Sequence, residues 1–176
     1  ASALSVLTDQ RFFQGQKSYI RAIKSVVSLP LLRKDFIIDE YQVYESRYVG
    51  ADAILLIVSA LSQEVLKSLY QCARSIGLDV LVETHTEEEI ARANEVSADI
   101  IGINNRNLAT FEVSLQRSLD LRSFIDPRAV SVSESGIQSA QEVAKLRRAG
   151  FDAILVGEGL VTSKNRVDSL RELVRA

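Results

Sequence analysis

Seven short runs of aliphatic residues, each followed by a segment of helical periodicity, confine this chain to a narrow set of folds. The runs are Ala3–Leu7, Leu31–Phe36, Ala53–Val58, Val80–Glu83, Ile100–Asn104, Ala129–Ser133 and Ala153–Gly157. They are almost continuously apolar and rich in β-branched residues, the pattern of parallel strands covered on both faces. Regular β–α alternation implies an α/β domain with right-handed crossovers. The segments between the runs carry helix boundaries. Asp39 and Gln42, Thr86 and Glu89, and Ser139 and Glu142 have the spacing of capping boxes. Ser62 is a further N-cap, and Gly50, Gly77 and Gly150 sit where a left-handed residue closes a helix. Tyr44, Tyr48 and Val49 form one apolar helix stripe, and Val143, Leu146 and Ala149 another.

Two architectures satisfy this alternation, an open doubly wound sheet and a (β/α)8 TIM barrel. Three helix-to-strand turns repeat a theme: Gly50-Ala51-Asp52-Ala53, Ser97-Ala98-Asp99-Ile100 and Gly150-Phe151-Asp152-Ala153. Similar turns favour a quasi-symmetric ring over a sheet with a reversal point. About seven units are countable, one short of closure, in a single domain over 1–176.

Composition narrows the chemistry. The net charge of −2 and the lack of a basic run exclude a nucleic-acid stripe. A lone cysteine, Cys72, excludes a disulfide framework and a cysteine-based zinc site; it falls in a helical pattern and reads as core filler. A lone histidine, His85, excludes a multi-histidine metal site and reads as a surface residue. No apolar stretch reaches the roughly 20 residues that span a bilayer, and no signal peptide is visible, which favours the cytoplasm. A chain without methionine that starts at Ala1 reads as lacking upstream residues.

Ligands of parallel α/β folds bind at the carboxyl ends of the strands. Polar residues recur there: Lys34 and Asp35, Glu83, Asn104 to Arg106, Ser133 to Gly136, and Gly157 to Gly159. Lys34, beside Phe36 and aliphatic residues, would be partly desolvated and suited to proton donation; the bland alternative is a solvated loop lysine. Taken together, a lysine, two glutamates, an asparagine and an arginine at one barrel mouth point to an acid–base site. The glycine motifs after the last two runs suit a phosphate, which main-chain N–H groups approach closely.

Several stretches resemble indole-3-glycerol phosphate synthase: Ser5-Val6-Leu7-Thr8-Asp9, Phe12-Phe13-Gln14-Gly15, Leu32-Arg33-Lys34-Asp35-Phe36-Ile37, Leu55-Leu56-Ile57-Val58, Gly102-Ile103-Asn104-Asn105-Arg106-Asn107-Leu108 and Ser133-Glu134-Ser135-Gly136-Ile137. The resemblance runs along essentially the whole chain in the family's order. It implies a TIM barrel lyase of tryptophan biosynthesis that closes the indole ring of 1-(2-carboxyphenylamino)-1-deoxyribulose 5-phosphate, with release of carbon dioxide and water and no metal or organic cofactor. By the same resemblance Lys34 is the general acid and Glu83 the acid–base glutamate, with Asn104 and Glu134 as further catalytic polar groups. Arg106 orients the substrate carboxylate or the lysine's loop. Phe13, Phe36, Leu56, Leu108 and Ile137 form the apolar pocket. Ser135, Gly136, Gly157 and Glu158 hold the phosphate, Glu158 through its N–H.

The family's N-terminal helix and first βα unit have no counterpart in these residues, which match units two to eight of an incomplete barrel. The expectation is that the isolated chain is weakly active or inactive, and that a complementing N-terminal segment or self-association through open edges would restore it. A non-catalytic phosphate-binding or assembly fragment is the competing reading.

Overall fold

The computed structural model of the protein describes residues 1–107 and 110–176. They form two compact units, one of Ser2–Glu83 with Glu95–Ala98, the other of Ala1, Thr84–Asn94 and Asp99–Ala176. The N-terminal unit holds β1 (Leu4–Leu7), α1 (Ser18–Lys24), β2 (Leu31–Lys34), α2 (Glu40–Val49), β3 (Ala53–Ile57), α3 (Gln63–Ser75) and nearly all of β4 (Asp79–Thr84). Its strands pair in chain order and in parallel. The C-terminal unit holds most of α4 (Glu87–Glu95), then β5 (Ile100–Asn104), α5 (Gln116–Leu121), β6 (Val130–Glu134), α6 (Ala140–Arg148), β7 (Ala153–Leu155), α7 (Glu158–Val161) and α8 (Arg166–Arg175). Here too β5, β6 and β7 are parallel neighbours in chain order. No helix of the described residues is long and apolar enough to cross a membrane.

All seven expected strands form, β5 with the expected ends and the others with shifted ones. β2 stops at Lys34, two residues before the expected Phe36, and β7 stops at Leu155. At β2 the reason is Asp35, whose carboxylate turns aside to the Thr8 hydroxyl at 2.6 Å and to Arg33. Two capping boxes form in full, at Asp39 with Gln42 and at Ser139 with Glu142. The third is displaced by one residue: Thr86 caps the Glu89 N–H, but the Glu89 carboxylate reaches back to the N–H of His85. Ser62 caps α3, and Gly50, Gly77 and Gly150 take left-handed φ angles.

The stripe expected on α2 is rotated. Val43, Ser46 and Val49 face inward, while Tyr44 and Tyr48 are exposed. Residues three apart share a helix face, and the small polar Ser46 belongs to the buried one because its hydroxyl accepts from Arg33 at 3.0 Å. Tyr48 instead carries the Arg21 guanidinium over its ring, 4.7 Å from the centroid. The core beneath α1 and α2 joins Val6, Ile20, Leu31, Val49 and Ala51, with Leu4, Ile23 and Val27 packed at its margin.

The repeated aspartates of the helix-to-strand turns act as latches. Asp52 accepts from the N–H of Leu31 at 2.8 Å and from the Lys24 ammonium. Asp152 accepts from the N–H and hydroxyl of Ser131 at 2.9 and 2.7 Å. Each latch closes on a residue 21 positions earlier, at the start of the preceding strand. The main-chain carbonyls of Asp52 and Asp99 accept from the following strand, from Asp79 at 3.0 Å and from Val130 at 2.8 Å. The Ser131 N–H and hydroxyl hold the Asp152 carboxyl below its ordinary value. Burial alone would raise Asp52, but the Lys24 and Leu31 bonds bring it down as well. A carboxyl with a lowered folded value stabilises fully above its unfolded value and loses that contribution as pH falls through the folded one. Asp152→Asn is therefore expected to destabilise by about 1 kcal/mol at pH 7. The gap from the unsubstituted protein should narrow below roughly pH 4, as urea unfolding at the two pH values would show; a gap independent of pH counts against the latch.

Candidate active site

Strand alternation sends neighbouring side chains of β2 to opposite faces. On one face Arg33 is 2% exposed. A buried guanidinium needs acceptors for a rigid fork of donors. Arg33 finds them in the Thr8 hydroxyl at 3.1 Å, Asp35 at 2.9 Å, Glu45 at 3.0 Å, the Gln42 carbonyl at 3.2 Å and the Ser46 hydroxyl. Burial would raise the Glu45 carboxyl, but hydrogen bonds from Lys17 and Arg33 hold it below its ordinary value. On the other face Lys34 reaches Glu83, at the end of β4, with Nζ and Oε2 3.1 Å apart. Its side chain is 24% exposed, whereas that of Glu83 is 2% exposed. The residue expected as proton donor thus has an almost fully buried carboxylate beside it.

Phe36 lies against Phe12 edge-on at 5.9 Å and against Phe13 in a stacked arrangement at 6.3 Å, and all three rings keep substantial exposure. Leu56 requires a correction. In the β3–β4 register Ile57 partners Glu83, Leu55 partners Leu81 and Leu56 partners Val82. Leu55, Ile57, Leu81 and Glu83 therefore share one face, and the fully buried Leu56 is on the other. The β3 leucine on the face of the Lys34–Glu83 pair is Leu55.

In the C-terminal unit Asn104 and Glu134 are register partners at the ends of β5 and β6, so both side chains project from the same face. Both residues are buried. The Asn104 amide oxygen accepts from the N–H of Arg106 at 3.0 Å, which turns the chain out of β5. Arg106 pairs with Glu158 at 2.5 Å. This draws the Glu158 carboxylate toward the guanidinium. Ser135 and Gly136 follow β6 with successive φ angles of 66° and 72°. A Cβ on Gly136 would stand 2.4 Å from a Val113 methyl, and one on Gly159 would stand 2.8 Å from the Ile137 carbonyl. Glycine is thus dictated by contact between these loops. Gly157 is the N-cap of α7 and Ile137 is buried. Leu108 lies outside the described residues.

Three residues escaped the sequence reading: Leu55, Arg33, and Asn105, which is fully buried next to Asn104. His85 is also not the surface residue expected, since its side chain is 11% exposed and its Nδ1 lies 3.2 Å from Glu89. Loss of the guanidinium in Arg33→Ala leaves its buried acceptors without their common donor. The expected loss is about 3 kcal/mol of unfolding free energy by urea titration, and a loss under 1 kcal/mol would contradict the anchoring role.

A family model described as indole-3-glycerol phosphate synthase matches residues 1–173. The indole-3-glycerol phosphate synthase of Chlorobium luteolum is 57% identical over 164 residues, covering 93% of this chain and 63% of that protein. The one of Endomicrobium trichonymphae is 50% identical over 173 residues, covering 98% of this chain and 67% of that protein. The chain thus spans a little under two thirds of the length of the Chlorobium relative. Among solved structures, 3-hexulose-6-phosphate synthase from Salmonella typhimurium superposes with a TM-score of 0.82 at 16% identity, over 97% of this chain and 84% of that one. KGPDC from Streptococcus mutans gives 0.74 at 13% identity, over 97% and 83%. At such identities the likeness concerns the fold, which is α/β of the TIM-barrel type with seven parallel strand–helix units.

Proposed function

This chain belongs to the indole-3-glycerol phosphate synthase family, and on that footing we propose that it carries out the decarboxylating ring closure that gives indole-3-glycerol phosphate, carbon dioxide and water in tryptophan biosynthesis. The substrate is 1-(2-carboxyphenylamino)-1-deoxyribulose 5-phosphate, and the setting is cytoplasmic. The observation that carries the reading is the Lys34–Glu83 pair at 3.1 Å. A general acid must hold a proton where water is scarce, and a buried carboxylate is the counter-ion that lets an ammonium remain there.

In the first step the anthranilate ring carbon that bears the carboxylate attacks the ribulosyl carbonyl. Lys34 donates a proton to the carbonyl oxygen as the carbon–carbon bond forms. Loss of carbon dioxide returns the electron pair of the broken bond to the ring. Departure of the new hydroxyl as water, with loss of a ring proton, completes the indole. Glu83 serves this later stage as acid–base partner, while Asn104 and Glu134 bind and orient the substrate hydroxyls. Phe13, Phe36 and Leu55 flank the aromatic ring, and Ile137 and Leu108 are assigned to substrate binding by family resemblance. Arg106 orients the substrate carboxylate or the lysine's loop, and its ion pair with Glu158 quiets the negative charge at the phosphate loop. The phosphate is assigned to Ser135, Gly136, Gly157 and the N–H of Glu158. Since the Ser135 N–H already donates to the Leu155 carbonyl at 3.3 Å, Ser135 contributes its hydroxyl.

Turnover is read directly from the fluorescence of the indole product. In the full-length protein Lys34→Ala should lower kcat by about 10²–10⁴-fold with substrate affinity changed little; unimpaired turnover removes Lys34 from the mechanism. The two neighbouring leucines separate pocket from scaffold. Both Leu55→Ala and Leu56→Ala should lose about 2–5 kcal/mol of stability. Only Leu55→Ala should raise KM, and a KM increase confined to Leu56→Ala would reverse the assignment of faces.

A further inference from the structure

Asn105 is fully buried and has no part in the reaction set out above. It follows β5 and ties down three consecutive residues at the end of β6. Its main-chain N–H donates to the Glu134 carbonyl at 2.9 Å. Its side-chain Nδ2 donates to the Ser133 hydroxyl and to the Ser135 carbonyl, both at 3.0 Å. Its Oδ1 accepts from the Ser118 N–H at 3.1 Å. The amide orientation is fixed by this set, because rotating it by 180° would face an N–H with an NH₂ and a carbonyl with an oxygen.

The tie to Ser135 has a particular consequence. Ser135 has a φ of 66° and carries a side chain, a conformation that costs roughly 1–2 kcal/mol for an L-residue. Such a conformation persists only where its surroundings hold it. Here the Ser135 N–H is fixed by Leu155 and the Ser135 carbonyl by Asn105. With both main-chain groups held, the direction of the Ser135 Cα–Cβ bond that carries the hydroxyl and of the next N–H, that of Gly136, is set in advance.

We infer that Asn105 is a positioning residue for phosphate binding: by holding the Ser135 carbonyl through Nδ2, it keeps Ser135-Gly136 in the left-handed conformation that directs their hydroxyl and N–H to the phosphate. The inference rests on the assignment of Ser135 and Gly136 to the phosphate. Asn105 touches no substrate atom and acts through the loop alone. Only a side chain that donates at one end and accepts at the other serves both partners. Aspartate keeps the acceptor for Ser118 but sets an oxygen against the Ser135 carbonyl, and alanine removes the tie.

The test measures binding of inorganic phosphate by calorimetry, and the melting temperature, for the unsubstituted protein, Asn105→Ala, Asn105→Asp and Ser118→Ala. Ser118→Ala is the control for burial alone. It removes the 2.7 Å bond between the Ser118 and Ser133 hydroxyls in the same cluster and leaves Ser135 untouched. Asn105→Ala buries no carboxyl against the Ser135 carbonyl, so the measurement stands on it even where the aspartate variant fails to fold. Both Asn105 variants are expected to weaken phosphate binding about tenfold. Ser118→Ala should lose melting temperature but keep its affinity within about twofold. In turnover, Asn105→Asp should raise KM with kcat nearly unchanged. An affinity of Asn105→Ala, or of a folded Asn105→Asp, no weaker than that of Ser118→Ala overturns the inference alone. Failure of the unsubstituted protein to bind phosphate overturns the assignment of the phosphate site, and the inference with it.

Discussion

A guanidinium buried behind β2 has to be given acceptors, and satisfying Arg33 determines much of what surrounds that strand end. Thr8 supplies a hydroxyl from the loop after β1, Asp35 turns back out of the strand, and α2 presents Glu45, Ser46 and the Gln42 carbonyl. An unpaired charge in such a place would cost several kcal/mol. The residues on either side of Lys34 in the sequence are therefore held firmly on the face Lys34 does not use. A lysine has a flexible stem, and fixing its backbone from behind is how a strand end gives it a defined reach toward Glu83.

The C-terminal unit meets a similar demand with neutral groups. Asn105 and the hydroxyls of Ser118 and Ser133 form a buried cluster with no formal charge in it. An amide and two hydroxyls carry a far smaller desolvation penalty than ions do. The two clusters thus differ in kind: ions surround β2, and neutral groups hold the segment after β6. The carboxylate of Glu158, which begins α7, is turned to Arg106.

The alternation of apolar runs and capped helices was enough to read the strands and their parallel sense, while the barrel class came from the repeated helix-to-strand turns and the family resemblance. The capping pairs at Asp39 and Ser139 were legible because a cap depends on residues within three positions of one another. What sequence pattern left obscure has physical reasons. β3 is apolar on both faces, so the two-residue period that would separate Leu55 from Leu56 is erased. The α2 stripe was misplaced because tyrosines count as apolar by type while the buried position belongs to Ser46, whose partner is 13 residues away. Arg33 and Asn105 are polar by type, and nothing local signals that such residues are buried. That depends on acceptors assembled from distant segments.

The two aspartate latches have a consequence for how the chain assembles. Each joins the start of one strand to the residue before the next, inside a single strand–helix–strand segment. The closure is therefore reached over a short stretch of chain, and the loop entropy it must overcome is correspondingly small. Contacts of such low sequence separation form early and raise the folding rate of an all-parallel sheet, a topology otherwise slow to fold. They also make the strand–helix–strand segment a self-closing module, so that copying or exchanging one brings its own fastening with it.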